Sequence, residues 1–135
     1  MRIYISGAIT KDKDYFNHFE RVEKELRKLG FSCINPAKVN SNMPDDFTHE
    51  DYMKISFALL DMCKTIYMLD GWKDSCGACQ EYGYALAKGY SILFEEVILD
   101  GRKTYVYAKN NREGCILGYA VIRTGIILSF MHECR

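Results

Sequence analysis

The first 94 residues alternate short apolar runs with amphipathic stretches, and this alternation limits the fold more than any other feature. Residues 2–6 (RIYIS), 31–35 (FSCIN), 65–69 (TIYML) and 90–94 (YSILF) are runs rich in β-branched and aromatic side chains, the pattern of strands. Between the first two, Phe16, Phe19, Val22, Leu26 and Leu29 recur at spacings of three and four. Charged residues fill the other faces, which predicts a helix over Asp14–Leu29 stopped by Gly30. A second helix is expected from Thr48, whose side chain can cap it with Asp51 three residues on. It carries Tyr52, Ile55, Leu59, Leu60 and Cys63. A third is expected over Gly77–Lys88, with Tyr82, Ala85 and Leu86 inward and Gly89 as its end. Strands separated by helices run parallel, with right-handed crossovers and helices on both faces. The predicted class is therefore α/β, with a mainly parallel sheet in three layers. Ligands of such sheets sit beyond the carboxyl ends of the strands. That singles out loops 7–13, 36–47 and 70–77, of which 36–47 reads as irregular after Pro36.

The rest of the chain, 95–135, is less decided. Val97–Leu99, Asp100-Gly101 and Thr104–Ala108 suggest a hairpin. CILGYAVI and GIILSFM are either two strands or a buried helix broken at Gly125, because periodicity alone does not separate these. This segment is expected to complete the domain as a β-rich or mixed extension, or to form an oligomer interface. The chain has 135 residues, enough for one domain with its own core.

Eighteen basic residues balance eighteen acidic ones. A dedicated nucleic-acid binder would carry a basic excess, so no nucleic-acid partner is expected. No run approaches the ~18 apolar residues of a membrane span, and the N-terminus lacks the apolar region and cleavage site of a signal peptide. The expected location is the cytoplasm, with no membrane partner, and the six cysteines are expected as reduced thiols. Cys76 and Cys79 form a C-x-x-C, but His18, His49 and His132 stand far from it. No metal site is expected, and small buried or half-buried thiols are the preferred reading.

Two segments carry candidate chemistry. In GWKDSCGACQEYGYALAKG, Ser75 and Gly77 stand at a helix mouth, where free N–H groups bind anions, and Glu81 follows on the first or second turn. Such a carboxylate suits a nucleophile; the plain alternative is a capping Ser75 and a solvated Glu81. In IYISGAIT, a strand ends in Ser6-Gly7 and passes through Ile9 and Thr10 into a polar loop, a common way to bring backbone donors to a ligand. Tyr4 is a core aromatic on the plain reading. Trp72 can stack on a base or anchor its loop, and His49 reads as an exposed helix-start residue.

Taken together, YISGAIT (4–10), YMKIS (52–56) and LDGWKDSCGACQE (69–81) resemble the motifs of the nucleoside 2-deoxyribosyltransferase-like superfamily, and most closely a small branch of phages and bacteria. The resemblance covers residues 1–94. It implies a flavodoxin-like sheet and chemistry at the N-glycosidic bond of a nucleotide or nucleoside. Glu81 matches the nucleophile, Tyr4 the residue that orients it, and Ser75 a residue that holds a 5′-phosphate. Ser6, Gly7, Ile9, Thr10, Ser56, Trp72 and Gly77 complete the expected ligand site. No cofactor is implied, and a homo-oligomer is. The chain departs from the pattern at Ser56, where the superfamily carries an Asp that assists the leaving base. A hydroxyl has no accessible pKa for that task. Asp70 is the preferred substitute, with Asp74 beside it and Asp51 on a different face. Lys64 also replaces a common Asp, and Ala8 a common Pro. The expected function is N-glycosidic cleavage or deoxyribosyl transfer; the alternative is a non-catalytic module that binds or sequesters a nucleotide.

Overall fold

The computed structural model describes residues 2–9 and 13–97, with the backbone of three further strands, 103–110, 115–123 and 126–131. Side chains are described up to Glu95. The elements follow the order β1 (Arg2–Ser6), α1 (Tyr15–Lys28), β2 (Ser32–Ile34), α2 (Pro36–Asn40), α3 (His49–Asp61), β3 (Thr65–Met68), a single 3-10 turn (Trp72–Asp74), α4 (Cys76–Lys88), β4 (Ser91–Val97), β5 (Lys103–Asn110), β6 (Cys115–Arg123) and β7 (Ile126–Met131). The sheet order is β2-β1-β3-β4-β5-β6-β7. The first four strands are mutually parallel; β5, β6 and β7 follow as an antiparallel meander. The predicted α/β class with a mainly parallel sheet is what the structure has.

The pleat sorts the core into two layers. Ile3 and Ile5 of β1, with Tyr67, Leu69 and Leu93, pack against Phe19, Val22 and Leu26 of α1. Tyr4, Ile66, Met68 and Ile92 point the other way, onto Leu60 of α3 and onto Ala78 and Ala85 of α4. Central strands buried on both faces read as unbroken apolar runs, which is why β1 and β3 were legible. Ser6 shares the Tyr4 face by the same alternation, and so points toward α4.

Local chemistry explains most boundaries. Thr48 and Asp51 form a complete capping box: Asp51 N–H donates to Thr48 Oγ1 at 3.2 Å, and Thr48 N–H donates to Asp51 Oδ2 at 3.0 Å. Gly89 ends α4 at φ 71°. Two expectations need correction. Residues 36–40 are helical rather than loop, because Pro36 occupies the first turn and Asn35 caps it by accepting from Ala37 N–H at 3.0 Å. Leu86 is exposed instead of inward; the buried stripe of α4 is Ala78, Glu81 and Ala85. The strand begun at 90–94 runs on to Val97 and pairs antiparallel with β5, with Val97 opposite Thr104. CILGYAVI falls within β6, and the IILSFM of the last run is β7. Asp100, Gly101 and Gly125 lie outside the described residues.

Glu23 fixes α2 to α1. It is almost fully buried, meets Lys38 Nζ at 3.0 Å and Arg27 Nε at 3.5 Å, and accepts from Asn35 Nδ2 at 3.5 Å. Burial pushes its pKa up, but these partners outweigh it and leave the carboxyl below its usual value. Asp61 similarly joins α3 to α4, accepting from the hydroxyls of Tyr84 and Tyr90 at 2.7 and 2.6 Å. Among the described residues, no helix is long and apolar enough to cross a membrane.

Two backbone positions yield stability predictions. A Cβ added at Gly7 would lie 2.9 Å from Leu69 Cβ, which cannot swing aside. Gly7→Ala is expected to cost ~1–3 kcal/mol of unfolding free energy, the usual penalty of overpacking. Lys64 sits at φ 61°, a left-handed conformation strained for a side chain with a Cβ. Its exposed side chain leaves room for replacement, so Lys64→Gly is expected to gain ~1 kcal/mol. Urea titrations of both variants measure these effects; stability unchanged in either would contradict the corresponding argument.

Candidate functional site

The chain turns back across the sheet between β1 and β3, and a cavity of about 360 Å³ opens there. This is the lower end of the range for small-molecule sites. Its floor is Tyr4 and Glu81. Its walls come from the segment after β1 (Gly7, Ile9), from α1 (Tyr15, Phe19), from α2 and its end (Pro36, Asn40, Ser41), from the start of α3 (His49, Tyr52, Met53, Ser56) and from the start of α4 (Ser75, Cys76, Gly77, Ala78). Two helix N-termini, those of α3 and α4, therefore contribute to one cavity.

Glu81 is not a solvated surface residue: it is 6% exposed. Its place on the inward stripe of α4, between Ala78 and Ala85, carries it to the C-terminal end of β1. There Ser6 Oγ, fully buried, donates to Glu81 Oε1 at 3.1 Å. The other oxygen, Oε2, has no protein partner of hydrogen-bond geometry, and neither has the Tyr4 hydroxyl beside it. These two buried polar atoms belong to residues of the cavity floor. Burial pushes the Glu81 carboxyl up to about 7, and the nearby dipole of the Tyr4 hydroxyl together with the Ser6 hydrogen bond keeps it from rising further. Burial and the Glu81 charge together raise Tyr4 well above the ordinary tyrosine value; Ser56 nearby acts in the opposite direction. Tyr4, Ser6, Ser56 and Glu81 thus form one buried polar group in an otherwise apolar floor.

Ser75 caps α4 by accepting from Ala78 N–H at 3.2 Å. Its own hydroxyl proton remains available as a donor. The backbone N–H groups of Cys76 and Gly77 lie in the first turn, before any intrahelical acceptor. This end of the cavity offers donors to an anion, and the far end offers a carboxylate oxygen.

The structure gathers Tyr4, Gly7, Ile9, Ser56, Ser75, Gly77 and Glu81 around the cavity. Ser6 sits behind the wall and holds Glu81 in place of lining the cavity. Thr10 lies outside the described residues. Asp70 and Trp72 do not join the cavity: with Lys73, Asp74, Tyr82, Phe94 and Glu95 they line a separate hollow of about 780 Å³. The geometry gives the reason. Asp70 N–H donates to Glu95 Oε1 at 3.0 Å, and the Trp72 ring packs on Tyr82 at 4.7 Å and Phe94 at 6.3 Å between centroids. Both contacts turn the loop outward, so neither Asp70 nor Asp74 supplies a carboxylate to the Glu81 cavity. Sequence reasoning missed Tyr15, Asn40, Ser41 and the cavity position of His49. That histidine is exposed at a helix start, as expected, yet also forms part of the wall.

The described cysteines are free. Burial pushes Cys33 and Cys63 up to about 11, whereas Cys76 and Cys79 are exposed and not half-buried as expected. Among the described residues, no three His, Cys, Asp or Glu side chains cluster as metal ligands.

The raised Glu81 pKa has a consequence for stability. Between pH 4.5 and about 7 the native state keeps a proton that the unfolded chain releases, so stability falls as pH rises through this window. Glu81→Gln removes that dependence. The variant is expected to exceed the parent by ~2–4 kcal/mol at pH 8 and to differ little at pH 4.5. Urea unfolding at the two pH values measures it; a gap that does not widen with pH would contradict the burial argument.

Comparison with known proteins adds the following. No curated protein matches the chain. The fold is similar to the solved structure of a 2-deoxyribosyltransferase from the psychrotolerant bacterium Bacillus psychrosaccharolyticus, with a TM-score of 0.58 and 17% identity over 70% of this chain and 71% of that one. Residues 1–94, which hold all the described residues that line the cavity, match a family model described as a domain of unknown function, DUF4406, and the chain belongs to that family.

Proposed function

We propose that the protein acts at the N-glycosidic bond of a nucleoside 5′-monophosphate, with Glu81 as the nucleophile. The observation that carries this reading is the asymmetry of the Glu81 carboxylate: Oε1 is tied to Ser6, and Oε2 is unpartnered on the cavity floor. A carboxylate so held is oriented for attack without first breaking a bond of its own. In the proposed reaction Oε2 bonds to the anomeric carbon, and the bond from that carbon to the base breaks. The base leaves with the electron pair of that bond and takes up a proton from solvent water. Water or a second base then attacks the same carbon, loses a proton to solvent, and the ester bond breaks to release the Glu81 carboxylate. This is the logic of a retaining glycosidase, in which a carboxylate stabilises an oxocarbenium-like transition state and traps it. Tyr4 orients the carboxylate, and Ser75 with the first turn of α4 holds the phosphate. A cavity near 360 Å³ suits a ligand of this size. The likeness of fold to a 2-deoxyribosyltransferase supports a nucleoside-type ligand. Assembly into a homo-oligomer in the cytoplasm belongs to the same reading.

One observation favours a second reading, a module that binds the nucleotide without turnover. Ser56 is buried beside Tyr4, and Glu81 is the one carboxylate among the described residues of the cavity wall. General-acid assistance is typically worth 10²–10⁴-fold, so its loss weighs against fast chemistry.

Incubation with the common ribo- and deoxyribonucleoside 5′-monophosphates, with free base measured chromatographically, separates the two. The enzyme reading expects base release that falls by at least ~10³-fold in Glu81→Ala. Because the nucleophile must be ionised, kcat/KM is expected to rise with pH through about 7. Ser6→Ala, losing a bond that favours the charged form, is expected to move that limb to higher pH. Stoichiometric binding of unchanged nucleotide in a calorimeter would instead establish the binding module, and base release undiminished in Glu81→Ala would overturn the assignment of the nucleophile.

A further inference from the structure

The wall of the Glu81 cavity contains no lysine or arginine among its described residues. An anionic ligand there faces a carboxylate at one end and must find its counter-charge at the other. His49 is the side chain of that wall able to carry a positive charge. It occupies the first position of α3, directly after Thr48, and the Thr48–Asp51 capping box fixes the turn that presents it. It also reaches across to α4. A Cβ placed on Gly77 would stand 3.6 Å from His49 Cε1 and 3.9 Å from Ser75 Oγ. The imidazole and the Ser75 hydroxyl therefore flank the same first turn, the one with unused N–H donors at Cys76 and Gly77. The unpartnered Glu81 Oε2 and Tyr4 hydroxyl, both buried on the floor below, are the independent sign that this cavity takes a ligand.

We propose that His49 is a specificity-determining residue: it completes an anion subsite with Ser75 and the first turn of α4, and selects ligands bearing a phosphate monoester over their unphosphorylated nucleosides. This rests on the nucleotide reading above for the class of ligand, though not on turnover. The chemistry is specific. A phosphate oxygen accepts from the backbone N–H groups, from Ser75 and from an imidazole N–H, and the imidazolium adds charge that hydroxyls and amides lack. A free 5′-hydroxyl gains little from the charge. His49 therefore contributes to the phosphorylated ligand alone, and acts by direct contact instead of by shaping the floor.

The test measures binding in a Glu81→Gln background, which suppresses any turnover. Deoxyadenosine 5′-monophosphate and deoxyadenosine, then the pairs with the other three bases, are titrated calorimetrically into that background and into the same protein with His49→Ala or His49→Gln. The expected result is a preference for the monophosphate that falls by about tenfold or more in His49→Ala, with nucleoside affinity unchanged. His49→Gln, which keeps a donor but no charge, is expected to fall between the two. Inorganic phosphate should compete with the monophosphate in the His49 protein and compete less in His49→Ala. Preference unchanged by His49→Ala would overturn the proposal. So would equal loss for nucleoside and nucleotide, which would mark a packing role, or no preference in the His49 protein at all. Circular dichroism melts confirm that each variant is folded; His49→Gln supplies the comparison if the alanine variant is not. The outcomes separate from those of the preceding proposal. Phosphate selectivity lost with His49, without base release from the parent, supports this inference and removes the enzyme reading. Base release from a protein whose selectivity ignores His49 does the reverse.

Discussion

One buried hydrogen bond, from Ser6 Oγ to Glu81 Oε1, connects the two elements on which the site depends. Ser6 is the last residue of β1 and Glu81 lies in the second turn of α4, 75 residues away. The bond forms only if two periodicities agree. The pleat of β1 must turn Ser6 to the side of Tyr4 and away from Ile5. The turn of α4 must set Glu81 between Ala78 and Ala85, on the face that packs under the sheet. A one-residue slip in β1 would exchange Ser6 for an apolar neighbour and leave a buried carboxylate without this donor. The site is thus a consequence of the sheet register, which the β1–β3 pairing fixes through Tyr4 with Ile66 and Ser6 with Met68.

The remaining walls are fixed by pairs of polar contacts at the edges of the same core. Glu23 draws α2 onto α1, so that Pro36, Asn40 and Ser41 face the cavity. Asp61, Tyr84 and Tyr90 hold α3 against α4, which keeps His49 and Ser56 opposite Ser75 and Glu81. Glu95 accepts from Asp70 N–H and meets His18 at 2.7 Å, and so turns the 70–74 loop away from the cavity. That last contact decides which of two adjacent hollows the acidic residues of the loop enter.

These contacts also mark what could be read from sequence. β1, β3, α1 and the Thr48 cap follow from local patterns of period two, period four and side-chain capping, and each was legible. α2 is not legible, because a proline directly after a strand pattern marks the strand's end; with Asn35 as its cap, the same proline is a helix start. A hydrophobic pattern points Leu86 inward because leucine outweighs alanine, while the buried stripe of α4 is two alanines and a glutamate. Of the cavity residues, Ser75, Gly77 and Glu81 stand out at a helix mouth, and Tyr4 is singled out by the resemblance of the three motifs. Asn40, Ser41 and His49 are not, because they meet the cavity only through contacts between elements far apart in the chain. Asp70 and Trp72 lie close to Glu81 in sequence but outside its cavity, since Glu95 and the Tyr82–Phe94 pair turn their loop outward.

The described core holds three buried glutamates, and their differing partners argue for what Glu81 is. Glu23 meets two cations and an amide, and its carboxyl lies below its usual value. Glu95 meets His18 and a backbone N–H. Both tie separate elements together, and a buried carboxylate so paired is a structural joint. Glu81 accepts a hydrogen bond only from the neutral hydroxyl of Ser6, keeps one oxygen unpartnered, and is pushed up to about 7 by burial. At neutral pH such a group lowers the stability of the native state. A residue that folding would do better without, lining a cavity with one buried oxygen unpartnered, fits the proposed chemistry on a ligand. The same contrast explains why Ser6 donates to the one oxygen that the proposed attack does not use. It limits the cost of the buried charge while leaving the other oxygen free.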